Sequence, residues 1–219
     1  MRVDELVVDI AVIAIMLLVA FPLHEFAHAL TAFRLGDGTA RLLGRLTLDP
    51  RAHFDPLGGL LLAITVLLPG GFFIGWAKPT PYNPMNLRGA QWGEAAVAAA
   101  GPISNLVLAA AAALPLRYIL ASEMDVGYLT VGLDLFVRIN LFLMVFNFLP
   151  IPPLDGSKVL FAFLDPKTAW QVRPFLEQYG LLILFLLAFL PQFGGPNIIG
   201  GILTSIIGPV YGLLVGLPL

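Results

Sequence analysis

The sequence predicts an all-α polytopic membrane protein with about five to six transmembrane helices and a re-entrant or hairpin segment after the first helix. The first observation is composition: 58% of the 219 residues are hydrophobic and 12% are charged, whereas a soluble domain carries about 25% charged residues. The second is a series of apolar stretches close to the roughly 20 residues that cross a bilayer. The third is that one stretch is interrupted in its middle, as expected for a segment that enters the membrane and returns.

The first apolar stretch, residues 6–34, is predicted to be a retained helix that Pro22 can bend. It continues into polar residues without the small-residue site at which a signal peptide is cleaved. The interrupted stretch follows at 57–76, where Pro69, Gly70 and Gly71 break it. Further helices are predicted at 94–120, 128–149, 174–190 and 198–217.

Two connecting segments are predicted to lack long helices. In the polar segment 36–56, the alternation of "RLTLD" and the turn residue Gly44 favour a short β-hairpin. Residues 150–171, which begin with a run of prolines, are expected to form a loop.

Charge and cysteine content narrow the function. The net charge of −2 gives no reason to expect a nucleic-acid partner. Because the chain has no cysteine, it offers neither a disulfide nor a thiolate metal site. Any metal ion would be bound by histidine, aspartate, glutamate or asparagine.

A metal-binding pattern lies inside the first apolar stretch, in "HEFAH". His24 and His28 are four residues apart, so they share one face of a helix and can reach one zinc ion. Glu25 between them would lie beside the metal and can accept a proton from an attacking water molecule. Ionisable side chains in a membrane segment are costly and usually functional, which argues against a chance occurrence.

A catalytic zinc site needs a third protein ligand and an open position, and two residues are candidates. His53 is the remaining histidine. Asp155 lies in "NFLPIPPLDGSKVL", where prolines fix the backbone and Asp-Gly favours a tight turn. This turn is rigid enough to hold a ligand, but ordinary turn chemistry also accounts for an aspartate there. The residues alone leave the choice open.

These motifs together resemble the site-2 protease family of intramembrane zinc metalloproteases. The resemblance rests on HEFAH within a membrane helix and on "NFLPIPPLDG" much later in the chain. The "AGPISN" at 100–105 is also similar to the family's middle motif.

The resemblance assigns roles to single residues. It implies that His24, His28 and Asp155 bind Zn²⁺ and that Glu25 is the catalytic glutamate. Asn147 matches the family's asparagine before the metal-binding aspartate and is expected to hydrogen-bond the developing oxyanion. His53 would then support a metal ligand without binding the metal itself, or it would contact the substrate.

The resemblance also implies a division of the chain. Residues 1–160 are the expected metalloprotease core, similar to the compact branch without accessory domains. Residues 161–219, of which the last 45 or so lie outside the resemblance, are expected to be C-terminal transmembrane helices packing on it. The implied partners are the lipid bilayer and a membrane-protein substrate with a transmembrane segment. A "RLTLD" hairpin would suit binding of an unwound substrate by strand addition, although a plain loop is equally consistent.

The ligands impose a topology. HEFAH lies near the end of the first helix, and Asp155 follows the end of the 128–149 helix, so these helices must run the same way and 57–76 cannot cross. Nine of the twelve basic residues then share the side of the site, which the positive-inside rule makes cytoplasmic, and the expected location is the cell membrane. They are Arg34, Arg41, Arg45, Arg51, Lys78, Arg88, Lys158, Lys167 and Arg173.

Two other hypotheses fit part of the sequence. A non-hydrolytic divalent-metal-binding or transport protein would not need Glu25, and it should carry polar residues through the full membrane depth. Residues 174–219 carry almost none. An inactive scaffold that binds membrane proteins is disfavoured because the HExxH and Asp-Gly motifs are intact.

Other polar residues of the apolar helices are predicted to be structural. Asn140 is expected to hydrogen-bond a neighbouring helix. Asp134 and Arg138, four residues apart, are expected to pair along their helix.

Overall fold

The computed structural model describes residues 3–67, 75–124 and 126–216. Within these ranges all regular secondary structure is helical, which confirms the predicted all-α class. The helices are α1 (Val3–Ile15), α2 (Phe21–Arg34), α3 (Thr39–Leu42), α4 (Pro50–His53), α5 (Pro56–Leu67), α6 (Gln91–Ala121), α7 (Tyr128–Asn147), α8 (Asp155–Phe163), α9 (Pro166–Phe189) and α10 (Ile198–Val215).

Among the described residues, five helical stretches are long and apolar enough to cross a membrane. This number agrees with the predicted polytopic architecture. The stretches are Ile10–Arg34, Gln91–Ala121, Tyr128–Asn147, Pro166–Phe193 and Ile198–Val215.

The first membrane helix is built from α1 and α2, which are joined by one π-helical turn at Met16–Ala20. Pro22 lies at the start of α2 and has no N–H to donate to the preceding turn. The wider π-helical turn directly before it accommodates the missing hydrogen bond. The chain therefore stays helical from residue 3 to residue 34, which confirms the prediction for 6–34.

The two described ends of the interrupted apolar stretch lie side by side. A Cβ atom on Gly75 would lie 2.5 Å from Leu62 Cβ, and one on Gly58 would meet the Trp76 carbonyl. The stretch therefore returns to the side from which it enters, as predicted. Its predicted break at residues 69–71 lies outside the described residues.

Helix α6 forms the centre of the bundle, between α2 and α7. Its small residues Ala109 and Ala113 are buried against Val137 and Leu141 of α7, and Tyr211 of α10 completes the cluster. In lipid no hydrophobic effect drives helices together, so small residues that allow close backbone approach stabilise the pairing.

Contacts at the helix ends fix the direction of each helix. The N–H of Arg88, just before α6, donates to the carbonyl of Leu35, just after α2. Asp155, just after α7, meets His24 of α2. Helices α2 and α7 therefore end on the same side, where α6 begins, as the predicted topology requires.

Two predictions about the connecting segments are wrong. Residues 36–56 contain α3 and α4 rather than a β-hairpin, and 150–171 contains α8 and the start of α9 rather than a loop. In two of these helices an aspartate caps the first turn and a proline follows: Asp49 before α4 and Asp165 before α9. This Asp-Pro pair is a helix start signal that outweighed the local alternation of "RLTLD".

The last two helices pack on different parts of the bundle. Helix α10 begins beside the α7–α8 turn, where Ile199 packs with Leu149 and Leu154. It ends near the far end of α6, where a Cβ on Gly216 would lie 3.3 Å from Arg117 Nε. It therefore runs in the same direction as α6.

Helix α9 makes its contacts in the half of the bundle where α6 begins. Arg173 forms an ion pair with Glu94 in the first turn of α6, at 3.2 Å. Leu184 packs on the cluster around Leu149 and Leu154. Helix α9 thus covers the end of the bundle that carries the α7–α8 turn.

Candidate metal centre

Three side chains from distant parts of the chain converge inside the bundle. His24 and His28 lie on one face of α2, and Asp155 is the first residue of α8. Asp155 Oδ2 lies 3.1 Å from His24 Nε2 and 3.2 Å from His28 Nε2. Both imidazoles are buried, so this cluster is a closed polar site within apolar helices.

The separations of Asp155 Oδ2 from the two histidine nitrogens fit a tetrahedral ion. With metal–ligand bonds of about 2.0–2.1 Å, as zinc makes to nitrogen and oxygen, two ligands of a tetrahedron lie about 3.3 Å apart. The separations of 3.1 and 3.2 Å between Asp155 and the two histidines are close to that value.

The hydrogen bond on the other ring nitrogen of His28 sets the tautomer of this ring. Nδ1 lies 2.7 Å from the carbonyl oxygen of Val97 in α6. A carbonyl can only accept, so Nδ1 carries the proton and donates. Nε2 is then left with a lone pair that points into the centre, as a metal ligand requires.

A chain of amides across three helices sets the tautomer of His24. The carbonyl of Phe136 can only accept, so Asn140 donates to it with Nδ2 and presents Oδ1 to Asn105. Asn105 donates to that oxygen at 2.9 Å and presents its own Oδ1 to His24 Nδ1 at 2.6 Å. His24 therefore donates with Nδ1 and also keeps the Nε2 lone pair free. The predicted helix-to-helix role of Asn140 is confirmed.

The centre therefore joins three electron-pair donors and favours a cation. Burial opposes ionisation of the Asp155 carboxyl. When protons rather than a metal ion occupy the two Nε2 atoms, the positive charge at His28 and the hydrogen bonds from both histidines lower the pKa of Asp155 well below its ordinary value. Two imidazoles and one carboxylate are a donor set that suits zinc and leaves a fourth position open.

Gly101 of α6 is the residue that lets the helices close around the centre. A Cβ atom at this position would lie 2.5 Å from His24 Nε2 and still closer to His28 Nε2. Any side chain would therefore occupy the space of the ligand atoms. Neither Gly101 nor Asn105 could be assigned a role from the sequence, where their one signal was the motif "AGPISN".

The carboxylate of Glu25 lies beside the histidines and is held from one side. Its Oε2 accepts a hydrogen bond from the backbone N–H of Thr80 at 2.7 Å. The Thr80 hydroxyl donates to the carbonyl of Glu25 at 2.9 Å. The ligand atoms of Glu25, His24 and His28 all lie within 4.8 Å of one another.

The other two predicted site residues lie in different surroundings. His53 is buried at the end of α4, where its Nε2 lies 2.8 Å from the carbonyl of Thr47. Asn147 donates from Nδ2 to the carbonyl of Leu143, one turn earlier in α7. A catalytic role for Asn147 and a substrate role for His53 stay predictions. The predicted pair of Asp134 and Arg138 is confirmed, at 2.8 Å.

Comparison with known proteins agrees with this chemistry. The sequence profile described as Peptidase family M50 matches residues 120–190. YwhC of Bacillus subtilis, which is named a zinc metalloprotease, is 38% identical over 188 residues, which are 83% of this chain and 81% of YwhC. Rip2 of Mycobacterium tuberculosis, also named a zinc metalloprotease, is 33% identical over 81% of this chain and 66% of Rip2.

An archaeal relative extends the comparison. MJ0611 of Methanocaldococcus jannaschii, again named a zinc metalloprotease, is 35% identical over 64% of each chain. No solved structure matches the chain. The chain is a multi-pass membrane protein with a buried two-histidine, one-carboxylate centre. It belongs to peptidase family M50, the site-2 protease family.

Proposed function

We propose that this member of family M50 is a zinc metalloendopeptidase that hydrolyses peptide bonds in or near the transmembrane segments of membrane proteins. The observation that carries the proposal is the convergence of His24, His28 and Asp155 within apolar helices, beside the carboxylate of Glu25. The names of the relatives, which describe zinc metalloproteases, support the same conclusion.

Each residue of the site has a separate proposed role in hydrolysis. His24, His28 and Asp155 would hold Zn²⁺, which when bound supplies a Lewis acid for water and for the scissile carbonyl. Glu25 accepts the proton of the attacking water and passes it to the leaving amine. Because the Thr80 N–H binds Oε2 of this carboxylate, we expect Oε1 to be the oxygen that receives the proton. Asn147 would donate a hydrogen bond to the developing oxyanion.

The membrane makes demands of its own on the substrate. A transmembrane helix hides each peptide bond within its own hydrogen bonds, so the cleaved stretch must unwind locally. The centre lies among the residues where α2, α7 and α8 meet, which is the half of the bundle where α9 packs. We therefore expect cleavage near one membrane surface rather than at the midplane.

The proposal is tested with purified protein in detergent and a set of single-span reporter helices with a tag on each end. Zinc per protein is measured together with cleavage for the wild type and for Glu25→Gln. Glu25→Gln should keep its zinc and lose cleavage, because the proton acceptor is gone while the ligands remain. A wild type that binds zinc but cleaves no reporter helix would favour a metal-binding or transport protein instead.

The side of the membrane is part of the same proposal. Nine of twelve basic residues lie on the side of the site, so the active site faces the cytoplasm of a cell membrane. Single cysteines at Thr39, Asn83 and Lys158 of this cysteine-free chain should react with a membrane-impermeant thiol reagent only from the cytoplasmic side. Labelling of Asn83 from the opposite side would mean that 57–76 crosses, and the topology would be wrong.

A further inference from the structure

We propose that Thr80 and Arg45 are positioning residues for Glu25, acting through the segment 77–83, which we call the strap. The inference rests on the proposed function, because it takes Glu25 as the proton acceptor. The strap links Trp76 to the short helical turn at Pro84–Asn86 and passes beside the start of HEFAH. It has no helix or strand of its own.

The strap holds Glu25 by its backbone. Thr80 N–H donates to Glu25 Oε2 at 2.7 Å, and the Thr80 hydroxyl donates to the carbonyl of the same residue at 2.9 Å. Pro79 and Pro81 flank Thr80 and have no N–H. Thr80 is therefore the one amide donor of this tripeptide, and the prolines restrict the backbone on both sides of it.

Arg45 fixes the strap from behind. Its side chain is buried, with 5% exposure. Its Nη2 donates to the carbonyl of Lys78 and lies 3.4 Å from that of Pro79, the two residues before Thr80. Within the described residues Arg45 has no ion-pair partner within 4 Å, and the carboxylate whose charge acts on it is that of Glu25.

A buried guanidinium without an ion-pair partner is costly. Its Nε is one of two buried side-chain polar atoms without a partner in the described part of the chain, and the other is His53 Nδ1. Both residues hold Lys78, because the carbonyl of His53 accepts the Lys78 N–H at 2.9 Å. The two unsatisfied atoms therefore belong to the residues that attach the strap at Lys78. Because leaving such atoms buried lowers stability, we infer that these residues are kept to position the strap accurately.

The other end of the strap is attached to α2 as well. Asp37 is fully buried just after α2 and accepts from the backbone N–H of Asn83 and from Asn86 Nδ2, at 3.1 and 2.9 Å. The strap is thus fixed at both ends, on either side of the contact between Thr80 and Glu25. Such pre-organisation fixes the direction of the free Oε1, and a misplacement of about 1 Å of a catalytic group can cost on the order of 10²-fold in rate.

Two variants at position 80 separate the amide from the hydroxyl. Thr80→Pro deletes both the N–H and the hydroxyl and leaves an extended proline run, whereas Thr80→Val deletes only the hydroxyl and keeps the shape. The difference between the two variants therefore measures the contribution of the N–H. Thr80→Pro should lower kcat on a cleaved reporter helix by about 10²-fold, with zinc content unchanged and KM nearly unchanged. Thr80→Val should lose less than about tenfold, the value of one neutral hydrogen bond.

Arg45 variants leave every residue of the strap intact. Arg45→Met should lower kcat by about 10-fold to 10²-fold at constant zinc, and Arg45→Lys should restore part of it, because Lys can still donate to the carbonyls. Arg51→Met is the control, since Arg51 pairs on the surface with Asp49 and its side chain is 90% exposed. It should change neither kcat nor KM.

Hydrogen exchange provides a measurement that does not depend on cleavage. The strap has five exchangeable amides, at Ala77, Lys78, Thr80, Tyr82 and Asn83. One or more of them should lose protection in Arg45→Met and in Glu25→Ala, measured on the intact protein in detergent. Arg51→Met should keep the wild-type protection.

The outcomes distinguish this inference from the proposed function. If the wild type cleaves no reporter helix, the proposed function fails while hydrogen exchange still tests the strap. The inference itself is overturned if the wild type cleaves and Arg45→Met and Thr80→Pro retain kcat within about threefold of it. The inference is also overturned if Arg45→Met or Thr80→Pro lowers kcat because the protein has lost zinc. Equal reductions of kcat in Thr80→Val and Thr80→Pro would overturn it as well.

Discussion

The region around the metal centre and the region of α9 are both apolar helical structure, but they are built differently. In the most apolar windows of the α1–α2 helix, α6 and α7, 39% of the residues are buried inside the chain, compared with 6% in α9. The central helices meet through small residues and a chain of asparagines. Among the described residues of α9 only Gly180 is buried, and an ion pair from Arg173 joins the start of this helix to α6.

This difference shows where accuracy is needed. Asp155 can share one ion with the two histidines of α2 only if α8 is held accurately against α2, and α6 packs against both. That region therefore has close backbone contacts and buried amide hydrogen bonds. Helix α9 carries no metal ligand, so its position in the lipid does not need the same accuracy. We therefore expect substitutions in the first region to change metal binding and those in α9 to leave it unchanged.

The largest expected effect comes from removing a ligand. His24→Ala, His28→Ala and Asp155→Ala should each lose zinc and cleavage, because each removes a direct metal bond. Zinc per protein is measured by elemental analysis after purification in detergent. His53→Ala is the control and should keep its zinc. If Asp155→Ala stays metallated while His53→Ala is empty, the third ligand has been misassigned.

The next effect tests close helix approach. Gly101→Ala should lose most of its zinc, because the added methyl group would lie 2.5 Å from His24 Nε2. Gly132→Ala in α7 is the matched control, since a Cβ there has no neighbour within 4 Å. Both variants add one methyl group to a helical glycine. Equal zinc content in the two proteins would show that α6 is not held as tightly as the structure indicates.

A smaller effect is expected at the amide chain. Asn105→Ala removes the acceptor that fixes the His24 tautomer, so zinc affinity should fall about 10-fold to 100-fold. Competition with a chelator of known affinity measures the change. Asn105→Asp, which keeps an acceptor oxygen for His24 Nδ1, should lose less. Affinity that is unaffected in Asn105→Ala would mean that the amide chain does not tune the metal site.

The smallest effect is expected in α9. Arg173→Met removes the pair with Glu94, which is 3.2 Å long and exposed on the arginine side, so stability should change by less than about 1 kcal/mol. Zinc content should be unchanged. Limited proteolysis of α9 should be faster than in the wild type, because the helix is released from α6. A loss of zinc in this variant would contradict the view that the two regions are independent.

Much of the fold could be predicted because it depends on local patterns. The apolar stretches predicted the membrane helices, since about 20 apolar residues are needed to cross a bilayer whatever surrounds them. The two long connections were mispredicted because the residue at which a helix starts depends on capping rather than on hydrophobic period. Asp49-Pro50 and Asp165-Pro166 start α4 and α9, and this signal competes with strand-like alternation over a few residues.

The sequence by itself determined the chemistry of the centre: HEFAH places His24 and His28 on one face of a helix, and no cysteine is available to replace them. Only the tertiary structure decided which distant group joins them, because bringing Asp155 to the histidines depends on how α2, α6 and α7 pack. The same holds for Gly101, Asn105 and Thr80. Their importance comes from what lies 2.5 to 3 Å away across a helix contact, and no spacing along the chain encodes that distance.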